Sequence, residues 1–141
     1  MYAMRIAVID GMGGGIGAQI VSQLRQEITA GAEIIALGTN ATAADRMVRA
    51  GADRGASGEN AIRVSAESAD IIVGPLGIVI PDAMMGEVTS VMAQAVVSSK
   101  AEKFLIPLVQ QHFTIVGYVS QPVSGLICEL VRILREKCTA S

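Results

Sequence analysis

The chain has 141 residues, 51% of them hydrophobic, which is the size of one domain and enough to build a core without disulfide or metal staples. Its formal charge of −2, with both signs scattered, and its two Phe, two Tyr and no Trp leave neither the basic face nor the stacking rings of a nucleic-acid binder. The two cysteines lack metal-ligand spacing and fit a reducing compartment, no apolar run reaches the roughly 18–20 residues of a membrane span, and no signal-peptide layout is visible, so a cytoplasmic protein is expected.

Arg5 to Asp10 is a short, nearly unbroken apolar run that ends in glycines, the pattern of a strand buried on both faces. After Gly11–Gly17, the residues Ile16, Ile20, Val21, Leu24 and Ile28 recur at helical spacing, with Gly31 as the expected stop. Glu33–Leu37 reads as a second buried strand, and Thr42–Ala50 as a short helix with Asn40 or Thr42 as its N-cap and Gly51 closing it. A very short strand is expected within Ala52–Gly58, a helix over Asn60–Ser68 and a strand over Asp70–Val73. Ile78–Ile80 reads equally as a strand extension or an apolar loop.

Pro81 and Asp82 are expected to open a helical stretch, with Asp82 as its N-cap and Val88, Val91, Met92, Ala95 and Val96 on one face. Strands are expected over Lys103–Val109, where Pro107 signals a sheet edge or an early end, and over Phe113–Val119. A final helix, capped by Ser120 or Ser124, carries Val123, Leu126, Ile127, Leu130, Val131 and Leu134, with Cys128 read as a small core residue. The alternating order predicts an α/β fold: a Rossmann-like three-layer sandwich with a mostly parallel sheet of five to six strands, in one domain over residues 1–141.

The chemistry-bearing motif is Asp10-Gly11-Met12-Gly13-Gly14-Gly15-Ile16-Gly17, between a strand and a helix. Glycines allow a tight turn and let a phosphate approach the backbone, where a helix N-terminus offers free N–H groups and partial positive charge. One tight turn needs one or two glycines, and five between Gly11 and Gly17 suggest that a ligand approaches. No Lys-Ser or Lys-Thr follows, so a Walker-type loop is not expected. The second strand ends in Gly38-Thr39-Asn40 without the carboxylate of a typical NAD site, and Arg46 follows, so NADP fits somewhat better than NAD, with another phosphorylated ligand fitting about as well. Gly74-Pro75-Leu76-Gly77 and Gly58-Glu59-Asn60 are expected at the same sheet edge, with Gly74 and Pro75 as further binding residues.

The spacing of Gly11, Gly15 and Gly17 resembles the short-chain dehydrogenase fingerprint, but the likeness ends there. Their catalytic Tyr and Lys lie four residues apart, whereas Pro122 follows Tyr118 at that distance, and the place of their Asn-Asn-Ala-Gly element reads Val73-Gly74-Pro75-Leu76. His112, the only histidine, is expected in a polar surface loop rather than as a general base. Asp10 is expected to organise the loop, with metal or proton chemistry as the alternative, and Glu87 points either into the cleft or into water. Met84 and Met85 read as core packing, or as an adaptable pocket or subunit contact. No metal site is expected, and no catalytic set is assigned.

Ile9–Gly17, Gly58–Ile62, Ala69–Pro75 and Gly86–Thr89 together resemble the small bacterial family catalogued as domain of unknown function 3842, over nearly the whole chain. The resemblance implies a stand-alone cytoplasmic domain without an established activity, and transfers no catalytic residues. The expectation from the residues is a nucleotide-binding module in a sensor or regulatory role, holding NAD(P) or a related phosphorylated ligand. The alternatives are a small enzyme with a site between subunits and a partner-binding protein with an empty loop. A homo-oligomer is expected, through the last strand or residues 81–99, to cover sheet edges and helix backs.

Overall fold

The computed structural model describes residues 4–28, 30–108 and 113–140. Five strands form one parallel sheet: β1 (Met4–Asp10), β2 (Ala32–Gly38), β3 (Arg54–Ser57), β4 (Ile71–Pro75) and β5 (Glu102–Ile106), in the order β3-β2-β1-β4-β5. The helices between them are α1 (Gly15–Glu27), α2 (Ala41–Arg49), α3 (Glu59–Ser68), α4 (Ser90–Ser98) and, after β5, α5 (Val123–Ala140), with a 3-10 turn over Leu76–Val79. This is an α/β Rossmann-like sandwich.

Alternation along the strands sorts the core into two layers. Ile6, Val8, Ile34 and Val73 pack with Ile20, Leu24, Met47, Ile127 and Leu134 from α1, α2 and α5. Ala7, Ile9, Leu37 and Ile72 pack on the other face with Ile62, Met92 and Val96 from α3 and α4. Because successive strand side chains point to opposite faces, a strand covered on both sides is mostly apolar; β2 is buried at all seven positions, and its one charge, Glu33, pairs with Arg5 and Arg54. Strand order reverses between β1, paired with β2, and β4. Ligands of open α/β sheets bind at the carboxyl end of such a switch point. Register sets Asp10 beside Gly38 there.

Several expectations from the sequence need correction. Phe113–Val119 is not a strand: Gly117 at φ +86 and the Tyr118 N–H to Ile115 carbonyl bond, 3.1 Å, turn the backbone back on itself. The strand expected over Lys103–Val109 ends at Ile106, just before Pro107, while Val109 and His112 lie outside the described residues. Asp82 is no helix cap, because its φ of +67 places it in a turn, and α4 starts only at Ser90, where Thr89 Oγ1 accepts from the Met92 N–H. Within α4, Met92, Ala93 and Val96 face the core and Val91 faces solvent. Gly74 and Pro75 belong to β4 rather than to a loop. α5 begins at Val123, so its cap position is Pro122 and neither Ser120 nor Ser124. Its Pro122 carbonyl accepts from the Gly125 and Leu126 N–H groups. Cys128 is exposed, one residue off the buried stripe of Ile127, Leu130, Val131 and Leu134.

Candidate functional site

β1 delivers Asp10 to the base of the glycine loop, where it is 5% exposed. Its Oδ1 accepts from the Gly11 N–H at 2.8 Å and its Oδ2 from the Gly17 N–H at 2.7 Å. The carboxylate thus pins both ends of the loop, as the organising role requires. Burial raises its pKa, against the pull of the two amides. Nearby Glu87 also raises it, and Arg46 lowers it. With both oxygens engaged, Asp10 is built as an anchor.

The five glycines separate into two groups. A Cβ on Gly11 would lie 2.5 Å from Thr39 Oγ1 and 2.7 Å from Met84 Sδ. One on Gly17 would lie 2.5 Å from Met47 Sδ and 2.8 Å from Asp10 Cβ. Gly14 has φ +75 and faces the Ala43 backbone at 2.8 Å. The fold requires Gly14 and Gly17, and the packing of Thr39, Met84 and Glu87 over the loop requires Gly11. Gly13 and Gly15 have neither a left-handed φ nor a crowded Cβ, and the nearest neighbour of each is the Arg46 guanidinium, at 3.9 and 3.4 Å. The N–H groups of Gly13, Gly15 and Ile16 find no acceptor among the described residues, and no side chain caps α1. Arg46 Nη1 donates to the Gly13 carbonyl at 3.3 Å, which brings a guanidinium beside those amides.

Beyond β2 the sequence contains no nearby carboxylate, yet the structure supplies one. Glu87 Oε1 accepts from Thr39 Oγ1 at 2.6 Å, from Asn40 Nδ2 at 2.8 Å and from the Met12 N–H at 2.8 Å. These bonds, Thr39's foremost and then the Met12 amide and Asn40, hold its pKa below the ordinary carboxyl value. Asn40 serves twice: its Oδ1 caps α2 on the Ala43 N–H, and its Nδ2 also donates to the Met12 carbonyl at 2.9 Å. Glu87 thus turns toward the loop, the first of its two sequence readings. Its partners lie 47, 48 and 75 residues away, a separation at which one sequence has no pairing signal.

Glu87 arrives on an irregular crossing, residues 80–88, with Asp82, Met84 and Met85 at φ +67, +60 and +58. Backbone bonds close it: Asp82 N–H to the Val88 carbonyl at 2.7 Å, and Val88 N–H to the Ala83 carbonyl at 3.2 Å. Met84 packs against the core layer beneath α3 and α4 and over Gly11, while Met85 is 91% exposed.

Asp10, the Gly11–Gly17 loop, Thr39 and Asn40 therefore come together. Gly74 and Pro75 stand apart from that hydrogen-bonded set, buried at the end of β4, where Gly74 lets β4 pass close to the Ile9 carbonyl. Gly58, at φ +98, donates its N–H to the Gly38 carbonyl on the far side of β2. Across the switch point, a cavity of about 230 Å³ opens between Leu76, Pro107, Leu108, Phe113 and Tyr118, beside the ends of β4 and β5. No group of acidic, histidine or cysteine side chains suited to a metal ion occurs among the described residues. None of their helices is long and apolar enough to cross a membrane.

The model of one protein family, described as a domain of unknown function (DUF3842), matches residues 5–139. No curated protein matches the chain.

Proposed function

Since the chain belongs to this family, whose description names no activity, we propose from the geometry that it is a nucleotide-binding module holding NAD(P) or a related phosphorylated ligand at the glycine loop, in a sensor or regulatory role. The observation that carries this reading is Gly13 together with Gly15. The fold needs neither to be glycine, and both border three amides without an acceptor among the described residues and the Arg46 guanidinium. That combination suits a phosphate, which takes several short N–H bonds and a cation at a helix start. Thr39 and Asn40 would then face the ribose, and the cavity past β4 leaves room for the far half of a dinucleotide.

A second reading has its own support. Glu87 satisfies one donor of the loop, the Met12 N–H, and two at the end of β2 from within the chain, as an empty, self-completed turn would. Native mass spectrometry of the gently desalted protein separates the two. A co-purified mass of a nucleotide or dinucleotide supports the module. A bare protein whose melting temperature is unmoved by NAD, NADP, FAD, ATP and CoA supports the empty loop. The same spectrum tests the proposed homo-oligomer, supported by the exposed Phe113, Ile115, Val116 and Val119. Partners other than a small ligand and further copies of the chain form no part of the proposal.

A further inference from the structure

The carboxylate missing from the end of β2 has been replaced from a distance, and the replacement bears on which ligand fits. We infer that Glu87 is the specificity-determining residue of the site: it selects a nucleotide whose ribose carries free 2′- and 3′-hydroxyls and turns away the 2′-phosphorylated counterpart. This deepens the nucleotide-binding reading and rests on it.

Thr39 and Asn40 directly follow β2, where the ribose lies in dinucleotide-binding sheets. Glu87 is fixed there by three donors to a single oxygen, Oε1. Oε2 accepts nothing from the described residues, so it remains as an oriented acceptor on a half-buried carboxylate. A ribose diol offers hydrogens to such an oxygen. A 2′-phosphate offers only oxygens and negative charge, and would set a second anion beside the carboxylate.

The cation that a 2′-phosphate would need is turned elsewhere. Arg46 reaches the Gly13 carbonyl and lies over Gly15, on the side proposed for the main phosphates. The site has one positive pole at Gly13–Ile16 and one negative pole at Thr39–Asn40. The crossing adds a further argument. Three non-glycine residues in left-handed backbone are kept in a segment that sets Glu87 on its three donors. Strain of this kind persists where the surrounding structure over-determines it.

The test is calorimetric titration of the full chain with NAD and with NADP, for the wild type and for Glu87→Gln, which keeps an oxygen for the three donors and removes the charge. The wild type is expected to bind NAD at least about tenfold more tightly than NADP, and E87Q to bring the two within about threefold, mainly by tightening NADP. A wild type that binds NADP as tightly as NAD overturns the inference while leaving the nucleotide reading intact, and this arm does not depend on the variant. A ratio unchanged in E87Q also overturns it. If neither dinucleotide nor adenosine 5′-diphosphate binds the wild type, the nucleotide reading itself falls and takes the inference with it.

Discussion

The glycine loop and the crossing over residues 80–88 both carry irregular backbone past the carboxyl edge of the sheet, with a different balance of glycine and strained residues. The loop places Gly14 and a single non-glycine residue, Met12 at φ +52, in left-handed conformation, gives Gly11 and Gly17 to close contacts, and anchors the turn on a buried carboxylate at its base. The crossing sets Asp82, Met84 and Met85 in left-handed backbone and reserves a single glycine, Gly86 at φ +89, for the same purpose. Its carboxylate, near the end of the segment, reaches outward to the loop. The loop carries one left-handed non-glycine residue and is anchored at its base; the crossing carries three and is held by what it touches. Site architecture follows from that pairing, because the crossing carries the group that completes the loop.

The strongest way to break this comparison is to remove the anchor. Asp10→Ala leaves the Gly11 and Gly17 amides without an acceptor in a buried setting, and is expected to cost about 3 kcal/mol in urea unfolding. A loss below about 1 kcal/mol would mean that water or a shifted loop replaces the carboxylate, and that the loop is not anchored at its base.

Next in size is a contrast within the loop. Gly17→Ala drives a methyl against Met47 and Asp10 and is expected to destabilise by roughly 1–3 kcal/mol. Gly13→Ala meets only the mobile end of Arg46 and is expected to change stability by less than about 0.5 kcal/mol, while weakening nucleotide binding by about tenfold or more. Equal stability losses in the two variants would show that both glycines serve the fold, and the argument for an approaching ligand would fail.

Legibility divides along the same line. In the first half the elements follow from residue type: the mostly apolar runs of β1, β2 and β4, the glycine stops, and Asn40, one of two candidate residues, as the cap of α2. Asp10 is readable as an organiser because a carboxylate at a strand end beside glycines has few other partners. The second half is not so readable. Left-handed Met84 and Met85 have no sequence signature, since methionine favours helix, and the stretch reads as helix until Thr89 caps it. The apolar Phe113–Val119 run has the composition of a strand, but Gly117 turns it and no sheet edge receives it. Glu87 belongs to the site through contacts at least 47 residues away, which no local pattern encodes.

A smaller effect tests the strain directly. Met85 is exposed and has φ +58, so Met85→Gly gives up little packing and relieves a left-handed conformation. It is expected to stabilise the protein by about 0.5–1 kcal/mol, net of glycine's greater freedom in the unfolded chain. Destabilisation by a similar amount would mean that the methionine side chain, rather than the Glu87 clasp and the backbone bonds, holds the crossing in place.

The smallest effect is a difference in slope with pH, because the two carboxylates answer acid in opposite directions. Glu87 has its folded pKa lowered from 4.5, so its contribution is present above that value and is lost as pH falls through the lower folded one. Asp10 has its folded pKa raised from 3.8, so its contribution is complete below 3.8 and is lost as pH rises through the higher folded value. Urea midpoints between about pH 3 and 7 make the two separable. The margin of wild type over Glu87→Gln, a few tenths of a kcal/mol for so accessible a group, is expected to close on acidification. The margin of wild type over Asp10→Asn is expected to open over the same range. Margins that move together would mean that the two carboxylates titrate as one coupled pair. The anchor and the clasp would then be a single electrostatic unit rather than two separate devices.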